Sequence, residues 1–327
     1  MRRRAFIAGV GATVAAWPPP AIAQKIPHLI VLLPLPESDP EQMARREGMR
    51  VAFEQLGWSA GRNLRIDYRY AAGDAGRFAA FAKEAVALQP DVIFVQSTGF
   101  AAAVRQETRT IPVVFTNVSD PVGAGLVASL ARPGGNFTGL TLFDQGIAGK
   151  WFGMLKEMSP RLKRATLVIN PKNTAFDYFF GPTKAVAKSL AIEIVASRVE
   201  NPTEIERALE SIAATPDGGF VIAPGSTMLS NRKRIIALAA RHRLPAVYPE
   251  RIYATDGGLM SYGIADLIEP FRQAVTYIDR ILRGEKPADL PVQGPTKYAT
   301  VVNAKTASAL GLAVPPGLLV AADEVIE

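Results

Sequence analysis

Apolar, β-rich runs alternate with helix-length amphipathic segments along almost the whole chain, and this alternation constrains the fold more than any other feature. His28–Leu33 reads as the first strand, followed by a helix over 40–56 that Gly57 ends, and by an alternating strand over 64–70. A helix over 77–88, the strand Val92–Gln96, a helix over 100–108, the strand Val113–Thr116 and a short strand over 137–143 complete a first set. A second set has helix 147–158, strand 165–170, helix 174–190, strand Glu193–Arg198, helix 203–213, strand 219–223, helix 231–241 and strand Ala246–Tyr248. A strand over 259–262, a long helix over 266–283, a Pro/Gly-rich stretch over 286–295, a strand over 298–302 and a helix over 304–310 follow. Strand–helix alternation with apolar strands predicts α/β architecture, with parallel sheets covered by helices on both faces. Two similar groups of strands predict two sheets, and no sequence repeat of fixed period accompanies them.

The first 23 residues follow a different logic. Arg2, Arg3 and Arg4 make a basic start, residues 5–16 form an apolar Gly/Ala-rich run, Trp17-Pro18-Pro19-Pro20 breaks any helix, and Ala21-Ile22-Ala23 precedes Gln24. This is the layout of a secretory signal, cleaved after Ala23, with arginines of the twin-arginine type. The apolar run is too short to cross about 30 Å of hydrocarbon as a helix. The expectation is an exported, periplasmic protein.

Composition narrows the function. The 327 residues include no cysteine and carry a net charge of +7, which falls to +4 without the three signal arginines. The absence of cysteine excludes disulfides and thiolate metal sites. Small Lys/Arg groups on helical segments, without interleaved aromatics, read as solvated faces, so no nucleic-acid partner is expected. The two histidines, His28 and His242, stand far apart, and no metal site is expected of them. No phosphate-binding Walker loop occurs. Gly123-Ala-Gly125-Leu-Val-Ala128 has the look of a dinucleotide fingerprint, but six residues separate it from the preceding strand and Pro133-Gly134-Gly135 soon interrupts it. No cofactor and no catalytic residue are assigned.

In open parallel sheets, ligands sit beyond the carboxyl ends of the strands. Glu37 and Ser38 follow the first strand, Ser97 and Thr98 the third, and Asn117, Ser119 and Asp120 the fourth. In the second set Asn170 and Asn173, then Ser226 and Thr227, then Tyr248 and Glu250 hold the corresponding places. Of these, Glu37, Ser38, Ser97, Thr98, Asn117, Ser119, Asp120, Asn170, Asn173, Ser226 and Tyr248, together with Tyr262, form the candidate ligand-binding set. Hydroxyls and amides of this kind hydrogen-bond a small polar solute, and the same side chains also cap the helices that follow. Uncharged donors near helix N-termini predict a solute bearing a carboxylate. Phe100, Phe176, Tyr178 and Tyr248 lie near the same strand ends and are expected to cover an apolar portion of it.

The block running from Asp120 through Pro133-Gly134-Gly135-Asn136-Phe137 to Gly139 resembles the ABC-transporter substrate-binding proteins of the type I periplasmic binding fold. The likeness recurs at Gly257-Gly258-Leu259-Met260-Ser261-Tyr262-Gly263, at 282–291, at 303–312 and at 322–327, and so spans essentially the whole chain. It implies two Rossmann-like lobes joined by a hinge and closing on a solute, with the glycines serving loop geometry. Relatives include receptors for aromatic amino acids, and the sequence departs from them at 248–256.

The resulting division is residues 24–143 plus about 259–284 for the first lobe, and 144–258 plus about 285–327 for the second. The hinge is expected near 141–146, 256–258 and the Pro/Gly stretch after Arg283. A monomer that captures a small-molecule solute for an ABC permease is the expected role. A ligand-sensing receptor for a membrane partner would share the same physics, and a nicotinamide-dependent oxidoreductase is the enzymatic alternative.

Overall fold

The computed structural model describes residues 25–327. The export signal read at residues 1–23 lies outside the described residues. The first set of elements is β1 (His28–Leu33), α1 (Pro40–Gln55), β2 (Arg65–Tyr70), α2 (Arg77–Ala87), β3 (Val92–Gln96), α3 (Thr98–Glu107), β4 (Val113–Thr116) and β5 (Phe137–Leu140). The second begins with α4 (Ile147–Met158), β6 (Arg164–Ile169), α5 (Phe176–Phe180), α6 (Thr183–Leu190), β7 (Glu193–Arg198) and α7 (Pro202–Ala213). It continues with β8 (Gly218–Ile222), α8 (Ser226–Ser230), α9 (Arg232–Arg241), β9 (Ala246–Tyr248), α10 (Arg251–Thr255) and β10 (Met260–Ile264). After these come α11 (Glu269–Leu282), a 3-10 turn at Pro287–Asp289, β11 (Tyr298–Asn303), α12 (Ala304–Ala309), α13 (Pro316–Ala321) and β12 (Glu324–Ile326).

Two sheets result, as the alternation predicts. The first has five strands in the order β2-β1-β3-β4-β5, all parallel. Because side chains alternate across a strand, β1 feeds two cores at once. Leu29, Val31 and Leu33 pack with α1 and α11, through Met49, Phe53, Phe271 and Ile278, while Ile30 and Leu32 pack with α2 and α3, through Phe78 and Phe100. The second sheet has seven strands in the order β12-β11-β10-β9-β8-β6-β7, parallel except where β10 meets β11. Leu167 and Ile169 of β6 face α4, and Val168 faces α7 and α9.

The lobe boundaries differ from the sequence reading. Strand β10 pairs with β9 and β11, so 260–264 belongs to the second lobe and not the first. Conversely, Leu290 and Val292 are buried in the cores of the first lobe, so the chain after Arg283 stays there for several residues. Strand periodicity reports burial, not which sheet a strand joins, and the division at 259 and 285 fails for that reason. Residues 256–258 make the turn between α10 and β10 inside the second lobe, with Gly258 N–H donating to Tyr253 O at 2.7 Å, and are not part of the hinge.

The connections between lobes run side by side. Thr141 N–H donates to Gln293 O at 2.9 Å, and Ala265 N–H donates to Lys297 O at 3.1 Å. Two further local differences have plain causes. The helix expected over 174–190 is broken into α5 and α6 at Gly181-Pro182, since proline removes a donor and clashes with the preceding turn. The Asp120–Gly139 block forms turns, with Asp120 Oδ1 accepting from Gly123 N–H at 2.8 Å and no helix before β5, so its glycines present no helix N-terminus to a pyrophosphate. Gly139 is obligatory: at φ +153°, a Cβ there would stand 2.0 Å from Phe115 O on the neighbouring strand.

Candidate functional site

The carboxyl ends of the two sheets face each other, and the loops beyond them meet around a narrow space of about 10 Å³. The first lobe lines it with Pro34 and Leu35 after β1, Gln96 and Ser97 at the end of β3, and Asn117 and Ser119 after β4. The second lobe contributes Asn173 and Thr174 after β6, Pro224, Gly225, Ser226 and Leu229 around α8, and Glu250 after β9. Towards solvent the cleft continues between residues 72–79 of the first lobe and Lys172, Glu200 and Asn231 of the second.

Backbone geometry at this edge is unusual. Ser97 (φ +103°) and Asn117 (φ +60°) both adopt positive φ, which non-glycine residues seldom do outside sites where the surroundings hold them. Ser97 caps α3, its Oγ accepting from Phe100 N–H at 3.3 Å, and Thr98 Oγ1 accepts from Ser119 N–H at 3.2 Å. The second of these bonds ties the end of β3 to the end of β4.

Across the cleft a buried amide–hydroxyl network fixes the second wall. Asn173 Nδ2 donates to Ser226 Oγ at 3.0 Å and to Thr227 Oγ1 at 2.6 Å, and Asn170 Nδ2 donates to the same Thr227 oxygen at 2.9 Å. Thr174 Oγ1 donates to Pro224 O. Asn170 Oδ1 is taken by Lys172 N–H at 2.9 Å, whereas Asn173 Oδ1 is buried with no partner in the protein.

The lobes also touch through charge. Arg232 on α9 reaches Asp39 with Nη1 at 3.4 Å and Asp256 with Nε at 2.9 Å. Arg45 on α1 meets Glu250 at 3.4 Å, and both are almost fully buried. Burial pushes the Glu250 carboxyl above the usual carboxylate range, and Glu41 adds to that, while Arg45 and Arg232 pull it down. Arg45 keeps Nε and Nη1 without partners, as do both polar atoms of Gln42 one turn earlier.

Of the residues singled out from the sequence, Ser97, Asn117, Ser119, Asn173 and Ser226 line the space, and Asn170 supports it from the network behind Asn173. Thr98 acts from behind Ser119. Five others lie elsewhere. Glu37 and Ser38 are exposed, and Glu37 pairs with Arg46 at 2.7 Å. Asp120 closes its own turn. Tyr248 is buried in the second lobe, stacked on Tyr253 with ring centroids 5.0 Å apart. Tyr262 stacks on Tyr298 beneath the ammonium of Lys150, away from the space.

The expected aromatic cover is not found there either. Phe100 packs on Phe78 in the core of the first lobe, Phe176 lies under the Arg198 guanidinium, and Tyr178 donates its hydroxyl to Phe143 O. The apolar lining is Leu35, Leu229, Pro34 and Pro224 instead. Among the residues the sequence left out, Gln96 carries a readable signal, as a polar residue closing an otherwise apolar strand. Glu250, named with Tyr248 beyond the strands but not kept in the candidate set, is a charge directly beyond a buried strand and a proline.

Comparison with known proteins places this geometry. The family model described as ABC transporter substrate binding protein matches residues 33–326. A tyrosine-binding protein of Clostridioides difficile is 27% identical over 268 residues, which cover 82% of this chain and 76% of that protein. The crystal structure of an ABC domain from Streptococcus pneumonia in complex with L-Trp superposes with a TM-score of 0.83 at 24% identity, covering 92% of this chain and 99% of that one. The ligand-free, open structure of a Clostridium difficile substrate-binding protein with adhesive properties, at the same identity and coverage, gives 0.65.

Proposed function

The chain belongs to the ABC transporter substrate-binding proteins, and from that premise we propose that it captures an amino-acid solute between its lobes and presents the closed form to a membrane permease. The observation that carries the solute class is the lining itself. Ser97, Asn117 and Ser119 offer hydroxyl and amide donors at the strand ends of the first lobe, by the N-terminus of α3, where a carboxylate is favoured, and Ser226 adds a hydroxyl from the second lobe. The similarity to a tyrosine-binding relative supports the same class. Leu35, Leu229, Pro34 and Pro224 beside these donors suit a solute with an apolar body.

The mechanism is two-state closure. A solute that touches both walls stabilises the closed arrangement by its differential affinity for it, and the three adjacent connections allow the lobes to move as bodies. We propose that the protein acts as a periplasmic monomer after removal of residues 1–23, on the strength of the signal pattern there. No catalytic step is proposed. Isothermal calorimetry with the L-amino acids, aromatic acids and neutral sugars tests the assignment. Saturable heat with one or more amino acids is expected, and heat with sugars alone would refute it.

A further inference from the structure

The lining contains a single charged side chain among the described residues, Glu250. Its position is informative. Glu250 stands at the N-cap of α10, yet its side chain makes no capping bond, so the carboxylate is not used by its own helix. Its one hydrogen bond comes from Arg45 Nη2 at 3.4 Å, long for a charge-assisted contact. A carboxylate offers about four acceptor sites, so most of its capacity is unspent although the residue is only 3% exposed.

Two other atoms around the same space share that character. Gln96 Oε1 and Asn173 Oδ1 are both buried, both belong to lining residues, and neither has a partner in the protein. Gln96 comes from the first lobe, while Asn173 and Glu250 come from the second. All three groups are acceptors. A buried acceptor without a donor is costly, and two such acceptors beside a carboxylate with unspent capacity call for a compact group with several N–H donors. A neutral hydroxyl brings one donor and a carboxylate none, whereas a primary ammonium brings three and a positive charge.

We propose that Glu250, with Gln96 Oε1 and Asn173 Oδ1, forms the subsite that holds a protonated primary amine of the solute. This rests on the amino-acid reading above and sharpens it, because the hydroxyl-rich wall alone would accept any small carboxylic acid. Arg45 is a positioning residue. It fixes one carboxylate oxygen from the opposite lobe and favours the ionised form against burial and against Glu41, 3.9 Å from the same guanidinium. The ammonium is thereby bound by groups of both lobes, and closure and recognition of the amine become one event.

The test compares paired probes on the whole mature protein by calorimetry: L-tyrosine, L-tryptophan, L-phenylalanine and L-leucine, each against the matched acid without its amine (hydroxyphenyl-, indole- and phenylpropionate, and 4-methylpentanoate). Whichever amino acid binds should lose about 10–100-fold in affinity when the amine is removed. Glu250→Gln should weaken the amino acid by a similar factor and leave the amine-free acid within about threefold, since the variant keeps the shape and removes the charge. Wild-type pairs require no variant, so a Glu250→Gln protein that fails to fold does not rescue or sink the proposal. An amine-free acid that binds as tightly as its amino acid would overturn the ammonium subsite while leaving carboxylate capture intact. Binding of neither series, with heat from sugars, would overturn both.

Discussion

Closure depends in part on the ion pair between Arg232 of the second lobe and Asp39 of the first, and Asp39→Asn isolates it. Asp39 does two jobs with two oxygens. Oδ1 caps α1, accepting from Glu41 N–H at 3.0 Å and Gln42 N–H at 3.2 Å, and Oδ2 faces Arg232 Nη1 at 3.4 Å. Asparagine is as good a cap as aspartate, so the substitution spares the helix and removes the charge between lobes. Two unit charges at that distance interact by about 5 kcal/mol at an effective dielectric near 20. Desolvation and the competing bond from Arg232 to Asp256 reduce the net value to about 1–2 kcal/mol, in line with hydrogen bonds to charged groups. The arginine keeps Asp256 and is not stranded. The closed population should therefore fall by about 5–30-fold relative to the open one, and the apparent Kd should rise towards that factor where the open form dominates without solute. Where the closed form is well populated without solute, small-angle scattering should instead show a larger radius of gyration for the solute-free variant, and in either case the radius at saturation should be unchanged. A variant with the wild-type Kd and the wild-type radius in both conditions would refute the role of this pair in closure.

Three further outcomes follow from other parts of the molecule. Gly139→Ala should destabilise the first lobe by about 3 kcal/mol or more, read as a lowered urea midpoint, because its Cβ meets the backbone of Phe115 and not a side chain that can yield. N-terminal sequencing of periplasmic protein should begin at Gln24, and a mature chain retaining Arg2–Arg4 would remove the export assignment. Amino-acid affinity should fall with acidity. Burial, with Glu41, raises the Glu250 carboxyl despite Arg45 and Arg232, with the buried Tyr253 phenol neutral beside it, so the solute-free protein binds a proton there above the usual carboxylate range. An ammonium favours the ionised form, binding then releases that proton, and affinity drops as pH passes down through this raised pKa. The drop should be absent in Glu250→Gln, and a pH-independent wild-type affinity would contradict the sign.

Much of this was legible in the sequence because the strands are nearly pure apolar runs. A parallel strand buried on both faces has no alternative reading once helices flank it, as in β1, β3 and β4. The rule that ligands sit beyond strand ends names Ser97, Asn117, Ser119, Asn173 and Ser226, all of which line the space between the lobes. Its failures are about direction within a loop. After β1 the chain turns so that Leu35 faces the cleft, leaving Glu37 and Ser38 in solvent. In β9, Val247 and Tyr248 point to opposite cores, and the residue that meets the cleft is Glu250, past the proline. Arg45 was beyond reach for another reason. It lies in a helix whose polar residues look like a solvated face, and only contact with the second lobe makes its burial intelligible.

The most direct test is mass spectrometry of the solutes released on denaturing protein purified from its native compartment. The account predicts a solute present at about one per chain that carries both a primary amine and a carboxylate. Release at that stoichiometry of a neutral sugar, or of an acid without an amine, would contradict it.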